Sequence, residues 1–203
     1  MPWLGCFRKL VVMERSERQK MLAGEQYNCH DAELSQMAVE ARRRVAQFCA
    51  SDPGDEKGRF RLLKEIFGKV ERGVHIEPPF YADYGVHTSI GEDTFVNVNC
   101  VIIDDAPVTI GRRVLIGPAV QLITAMHPLR AADRRTPAAD VAAGSAAWRT
   151  MTAPVASATT CGSARVFWCF PASRSAIEAW SLPVPWSARR FLRTPSQWGY
   201  LLE

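Results

Sequence analysis

The residues of this chain best suited to chemistry are few. His127 stands beside Pro128 in the run Thr124-Ala125-Met126-His127-Pro128-Leu129. A neutral imidazole is matched to removing a proton from a hydroxyl near pH 7. Taken alone, a histidine beside a proline is more often a surface residue than a base. Asn97 and Asn99 lie in Phe95-Val96-Asn97-Val98-Asn99-Cys100 and read either as site residues or as turn formers, since asparagine tolerates turns. Asp105 closes Ile103-Asp104-Asp105 and reads either as a site carboxylate or as a cap for the turn Asp104–Pro107. Asp31 is an acid placed just ahead of a helix. His30, His75 and His87 fall in no motif and read as structural or exposed. No metal is expected. No second histidine lies near His127, and the six cysteines lack zinc spacing, with Cys29 and Cys49, or Cys161 and Cys169, too far apart for a CxxC pair.

The elements that must position these residues change character along the chain. Arg15 to Leu22 is polar and helix-prone, and Ala23-Gly24 ends it. Asp31 is a plausible N-cap for a helix from Ala32 to Phe48, where Leu34, Met37, Ala38, Ala41, Val45 and Phe48 recur at helical steps. After the turn cluster Ser51–Asp55, a third helix is expected with Phe60, Leu63, Phe67 and Val70 on one face. Residues 13–72 therefore form a helical N-terminal region.

From Gly73 the period changes to six. Tyr84, Ile90, Val96 and Ile102 keep that step, and Ile110, Ile116 and Leu122 resume it after the turn at Asp104–Pro107. Ile90-Gly91, Ile110-Gly111 and Ile116-Gly117 repeat an aliphatic-glycine pair. A six-residue repeat predicts a parallel β-helix, left-handed when three hexads make a triangular coil, with the aliphatic residue inward. Each coil buries its core only by stacking on another. The fold class is thus mainly β, with a left-handed parallel β-helix over 73–137 and a short α-helical region before it.

Residues 138–203 break the pattern. Five of the six tryptophans lie there (Trp148, Trp168, Trp180, Trp186 and Trp198), with no lysine and no aspartate after Asp140. Its local preferences agree with no single fold.

Composition excludes little but narrows the setting. Over 203 residues, 47% hydrophobic and 23% charged content suit one soluble domain with a real core. The net charge of +4 is mild, and only Arg42–Arg44 makes a compact basic run, on a helix, so nucleic acid is not an expected partner. No run approaches the roughly 18 apolar residues of a membrane helix. With no convincing secretory signal and no disulfide framework, a reduced, cytoplasmic protein is expected. Residues 1–12 have no long apolar stretch, and a start at Met13 would make them a spurious extension.

Four ordered motifs carry a family resemblance over about residues 14–137. They are Met21-Leu22-Ala23-Gly24-Glu25-Gln26-Tyr27, then Ile76-Glu77-Pro78-Pro79-Phe80 with Asp83-Tyr84-Gly85, then the Phe95–Cys100 and Ile103–Asp105 runs, then Thr124–Leu129. Together they resemble the maltose and galactoside O-acetyltransferases of the hexapeptide-repeat class. The resemblance implies a homotrimer of β-helices with active sites between neighbours. It implies acetyl transfer from acetyl-CoA to a sugar hydroxyl, by direct attack and without a covalent enzyme intermediate. His127 matches the catalytic histidine, Asn97 a position contacting acceptor and active site, and Asp105 one holding sugar hydroxyls. Asp31 aligns loosely with an acidic acceptor contact. Phe95 stands where some relatives carry tyrosine, so that hydroxyl is missing. A non-catalytic β-helix remnant or interaction protein, and an acyltransferase for a non-sugar acceptor, are the alternatives.

Relatives continue past the His-Pro loop with coils such as I-G-D-N-V-W-I-G and P-G-V, which form most of the acetyl-CoA site. None is present in this frame, so no CoA-binding residue is assigned. With allowed third bases, however, Ala156–Arg165 read one base out of phase as I-G-D-N-V-W-I-G-A-G, and Val166–Trp180 as V-L-V-L-P-G-V-A-I-G-D-R-G-V-V. Residues from about 138 onward are therefore expected to be an out-of-frame translation without an evolved fold, with the shift between Pro137 and Ala156 and weak or no activity in the chain as written.

Overall fold

The structure is a computed structural model and describes residues 15–156. The expectations for residues 1–12 and for the end of the chain beyond 156 lie outside the described residues.

Helix α1 (Glu17–Leu22) opens with a capping box, in which Ser16 accepts from the Gln19 backbone and Gln19 reaches back to the Ser16 backbone. Gly24, at φ 75°, turns the chain out of it. Helix α2 (Ala32–Cys49) buries Leu34, Ala41, Val45 and Phe48, the stripe read from sequence. Helix α3 (Glu56–Ile66) differs from its expected face. Leu63 and Ile66 are buried in it, but so is Arg59, while Val70 belongs to the first strand. The Arg59 guanidinium lies 4.4 Å from the Phe48 ring centre and donates to the Ile76 carbonyl at 3.4 Å. Its aliphatic stem covers apolar surface while its head finds an acceptor, which explains how a charged residue takes the place expected for Phe60.

Nine short strands then wind in three sheets. β1 (Lys69–Val70), β4 (Thr88–Ile90) and β7 (Val108–Ile110) form one, β2 (His75–Ile76), β5 (Phe95–Val96) and β8 (Leu115–Ile116) the second, and β3 (Tyr81–Ala82), β6 (Val101–Ile103) and β9 (Gln121–Ile123) the third. All pairings within them are parallel, with Thr88 against Val108, Phe95 against Leu115 and Val101 against Gln121. One coil thus takes about twenty residues. Tyr84, Ile90, Val96, Ile102, Ile110, Ile116 and Leu122, the seven residues of the six-step pattern, are all buried. The corners are built from left-handed residues that repeat coil by coil, Asp93 (φ 54°) with Arg113 (φ 55°) and Asn99 (φ 60°) with Ala119 (φ 58°). Asn99 is therefore a corner residue.

The helices close the lower end of this stack. Phe80 packs edge-on against Phe48, with ring centres 5.5 Å apart, and lies against Phe67 at 5.8 Å. Capping matters because an open coil end offers unpaired strand edges to other chains.

Past the His-Pro loop the structure corrects the expected boundary at 138. The chain leaves the stack after β10 (Ala125–Met126) and forms α4 (Ala131–Arg134) and α5 (Ala138–Ala142). It returns as β11 (Met151–Thr152), antiparallel to β10, and β12 (Val155–Ala156), which rejoins the first sheet with Val155 opposite Val108. Residues 138–156 thus belong to the fold. The N-terminal segment grips them, since Thr152 donates to the Met21 carbonyl at 2.6 Å, Asn28 bonds Gly144 and Ala146, and the His30 ring meets Trp148 edge-on. They looked foreign because an irregular excursion has no period to read.

Candidate active site

His127 follows β10 and is exposed. Its Nδ1 lies 2.8 Å from the Arg149 carbonyl oxygen, which can only accept. Nδ1 must therefore carry the hydrogen, and in the neutral ring Nε2 keeps its lone pair. Two ties hold this arrangement. Arg134 donates to the carbonyls of Pro128 at 3.0 Å and Leu129 at 3.1 Å. The Arg149 N–H donates to the Arg134 carbonyl at 2.8 Å. Sequence reasoning missed both arginines, because neither lies in a motif.

Below the loop sits the Asp104-Asp105 corner, and its two acids divide the work. Asp104 is fully buried and accepts from the backbone of Tyr84, Gly85 and His87 and from the Thr88 hydroxyl. It caps the turn at residues 84–88 rather than its own turn, and its carbonyl also meets His87 Nδ1 at 2.8 Å, which makes His87 structural. Asp105 does not cap. Its Oδ2 accepts from the Tyr27 hydroxyl at 2.6 Å, while its Oδ1 is buried with no donor. Burial pushes this carboxyl up to about 7, the Tyr27 hydrogen bond works against that, and the nearby charges of Asp83 and Asp104 add to it. Burial, with Asp105 beside it, also drives the Tyr27 hydroxyl well above the usual phenol range. Thr124 fixes the loop over this corner, donating to the Ile103 carbonyl at 2.7 Å and accepting from the Ala106 N–H at 2.9 Å.

Two expected residues stand elsewhere. Asn97 is half-buried at the corner after β5, where its Oδ1 accepts from the Val98 N–H at 2.8 Å. That is a different corner from the one carrying Asp105 and His127. Asp31 is the N-cap of α2, as the sequence predicts, its Oδ1 accepting from Glu33 N at 2.9 Å and Leu34 N at 3.3 Å. The residues of that segment facing Asp105 are Tyr27 and Cys29. Phe95 faces outward from β5 and stacks on His75, with ring centres 5.7 Å apart. Among the described residues no group of three or more His, Cys, Asp or Glu is placed to hold a metal ion, and no helix is long and apolar enough to cross a membrane.

Comparison with known proteins follows the same outline. Residues 20–71 match the maltose acetyltransferase hexapeptide capping motif. Nodulation protein L of Rhizobium meliloti (strain 1021) is 45% identical over 117 residues, which are 57% of this chain and 63% of that protein. The chain thus spans less than two thirds of that relative's length. A hexapeptide-repeat-containing acetyltransferase of Vibrio cholerae O1 biovar eltor, solved with acetyl coenzyme A, superposes with a TM-score of 0.58 at 36% identity, covering 69% of each chain. The maltose O-acetyltransferase of Clostridium difficile 630 gives a TM-score of 0.60 at 26% identity, again over 69% of each chain. With the capping motif matched and the fold shared over 69% of the chain, this chain belongs to the maltose/galactoside O-acetyltransferase family of hexapeptide-repeat proteins.

Proposed function

We propose that the protein is an acetyl-CoA-dependent O-acetyltransferase acting on a sugar hydroxyl, with His127 as general base. The observation that carries this is the 2.8 Å bond from His127 Nδ1 to the Arg149 carbonyl. It fixes the tautomer in which Nε2 takes the hydroxyl proton as the oxygen attacks the acetyl carbonyl directly. The C–S bond breaks, CoA departs as the thiolate, and the imidazolium gives it the proton to form the free thiol. A tetrahedral adduct needs a hydrogen-bond donor for its oxyanion, and a backbone N–H commonly supplies one. Asp105 contacts acceptor hydroxyls. Asn97 stands at another corner of the coil, which suits a homotrimer whose sites lie between neighbouring subunits. The cysteines Cys29, Cys49 and Cys100 are free thiols, which suits a reduced, cytoplasmic setting.

The test is to mix the protein with acetyl-CoA and a panel of maltose, glucose and galactosides and to follow thiol release. Turnover with one of these supports the reading. Oligosaccharides and amino-acid hydroxyls extend the panel, and turnover confined to acceptors other than simple sugars would move the assignment to another acceptor class. No thiol release with any acceptor, from a version with the hexapeptide frame restored, would favour a non-catalytic β-helix protein. The chain as written is expected to be weakly active at best, because the coils that complete the acetyl-CoA site are written in the other reading frame.

A further inference from the structure

Asp105 is 5% exposed, yet one of its oxygens has no donor. A buried acceptor left unpaired costs free energy unless something completes it. Tyr27 occupies the other oxygen from a segment far away in sequence, and its own ring is buried. Tyr27 is also tied to the histidine's support. Its N–H donates to the Thr150 carbonyl at 3.4 Å, one residue after the carbonyl that orients His127. The next residue, Asn28, holds the same limb at Gly144 and Ala146. A single stretch of the capping region therefore sets both the carboxylate and the limb behind the base.

We infer that Tyr27 is a positioning residue of the acceptor subsite, its hydroxyl fixing one oxygen of Asp105 so that the other is presented to a hydroxyl of the acceptor. This rests on the sugar-acceptor reading above. The other titratable groups facing Asp105 are Cys29 from the same segment, Asp83 and Tyr84 from the coil below, and the neighbouring Asp104. Asp83 is itself engaged by the Tyr81 hydroxyl at 2.9 Å and by Arg42 at 3.3 Å. Two of these neighbours hydrogen-bond Asp105 with opposite effect, Asp83 favouring its protonated form and the Tyr27 hydroxyl favouring the charged one. Removal of that hydroxyl therefore takes away the contact that favours the charged carboxylate.

The experiment follows the Asp105 carboxyl signal by carbon NMR against pH in the full chain, with Asp105→Asn to assign it, and then adds maltose, glucose and a methyl galactoside. Tyr27→Phe keeps the ring and loses the donor, and it should raise the Asp105 midpoint by about one pH unit or more. Fluorotyrosine at position 27, a stronger donor in the same space, should lower the midpoint, an opposite shift that a merely structural role would not produce. A sugar should move the Asp105 signal in the wild-type chain and do so about tenfold less tightly in Tyr27→Phe. An unchanged midpoint in both variants overturns the positioning role. A shifted midpoint with no response to any sugar keeps Tyr27's grip on Asp105 but overturns the acceptor subsite, and with it the sugar-acceptor reading.

Discussion

Restoring a single base in codon 155 should turn this chain into a more stable protein, and the structure says by how much. Val155 is buried and lies opposite Val108. With one base returned there, the next codon reads as arginine under an allowed third base, and I-G-D-N-V-W-I-G follows. Counting from the Val155–Val108 pair, that run falls position for position on Ile110-Gly111-Arg112-Arg113-Val114-Leu115-Ile116-Gly117. Its asparagine lands on the corner where Arg113 and Asp93 are left-handed, a conformation asparagine accepts better than most residues. By the same count the two isoleucines and the valine of that run replace Ser157, Cys161 and Ser163 of the sequence as written. With this register the out-of-frame reading predicts a frame change at Val155, inside the expected interval from Pro137 to Ala156.

The side chains of the restored run set the size of the difference. Two isoleucines and a valine buried in place of two serines and a cysteine differ by about 1.5 to 3 kcal/mol each. For a domain of this size that predicts a midpoint higher by more than about 10 °C. The assay is thermal unfolding of the two proteins side by side, together with acetyl-CoA binding, which only the restored version should show. Equal midpoints and equal binding would refute the reasoning. So would a stop codon in the shifted frame of the native gene across codons 156–180.

In the restored protein, His127→Ala should lower turnover by about 100- to 10,000-fold without a matching change in stability, read by thiol release beside a melt. Asp104→Ala strips the acceptor from three backbone N–H groups and the Thr88 hydroxyl, and urea unfolding should show a loss of about 3 kcal/mol or more. Asp105→Asn should change how stability depends on pH. An unfolded aspartate loses its proton near 4, as model peptides do, whereas the folded one holds it up to about 7. Between those values the folded state binds more protons, so Asp105 makes stability fall as pH rises. The asparagine variant should flatten that slope, measured by urea unfolding at pH 4, 5.5 and 7, and an unaltered slope would count against the raised value.

Legibility in the sequence followed the range over which each residue is determined. The coil was readable because the same inward environment returns every six residues, so Ile90, Val96, Ile102, Ile110, Ile116 and Leu122 each answer one local demand and repeat it. The His-Pro loop was readable because its motif is contiguous. Asp31 was legible as a cap because an acid one residue ahead of an apolar helical stripe meets the first free N–H groups, and the bonds to Glu33 and Leu34 are those. Tyr27 was invisible for the opposite reason. Its partner is 78 residues away, and no local pattern announces a pairing that exists only once helix and coil are packed. The limb 138–156 combines both difficulties. It has no period, and its order comes from contacts with Met21, Asn28 and His30. A segment that is aperiodic but folded and a segment read in the wrong frame look alike until register separates them, and Val155 against Val108 is the pair that does so.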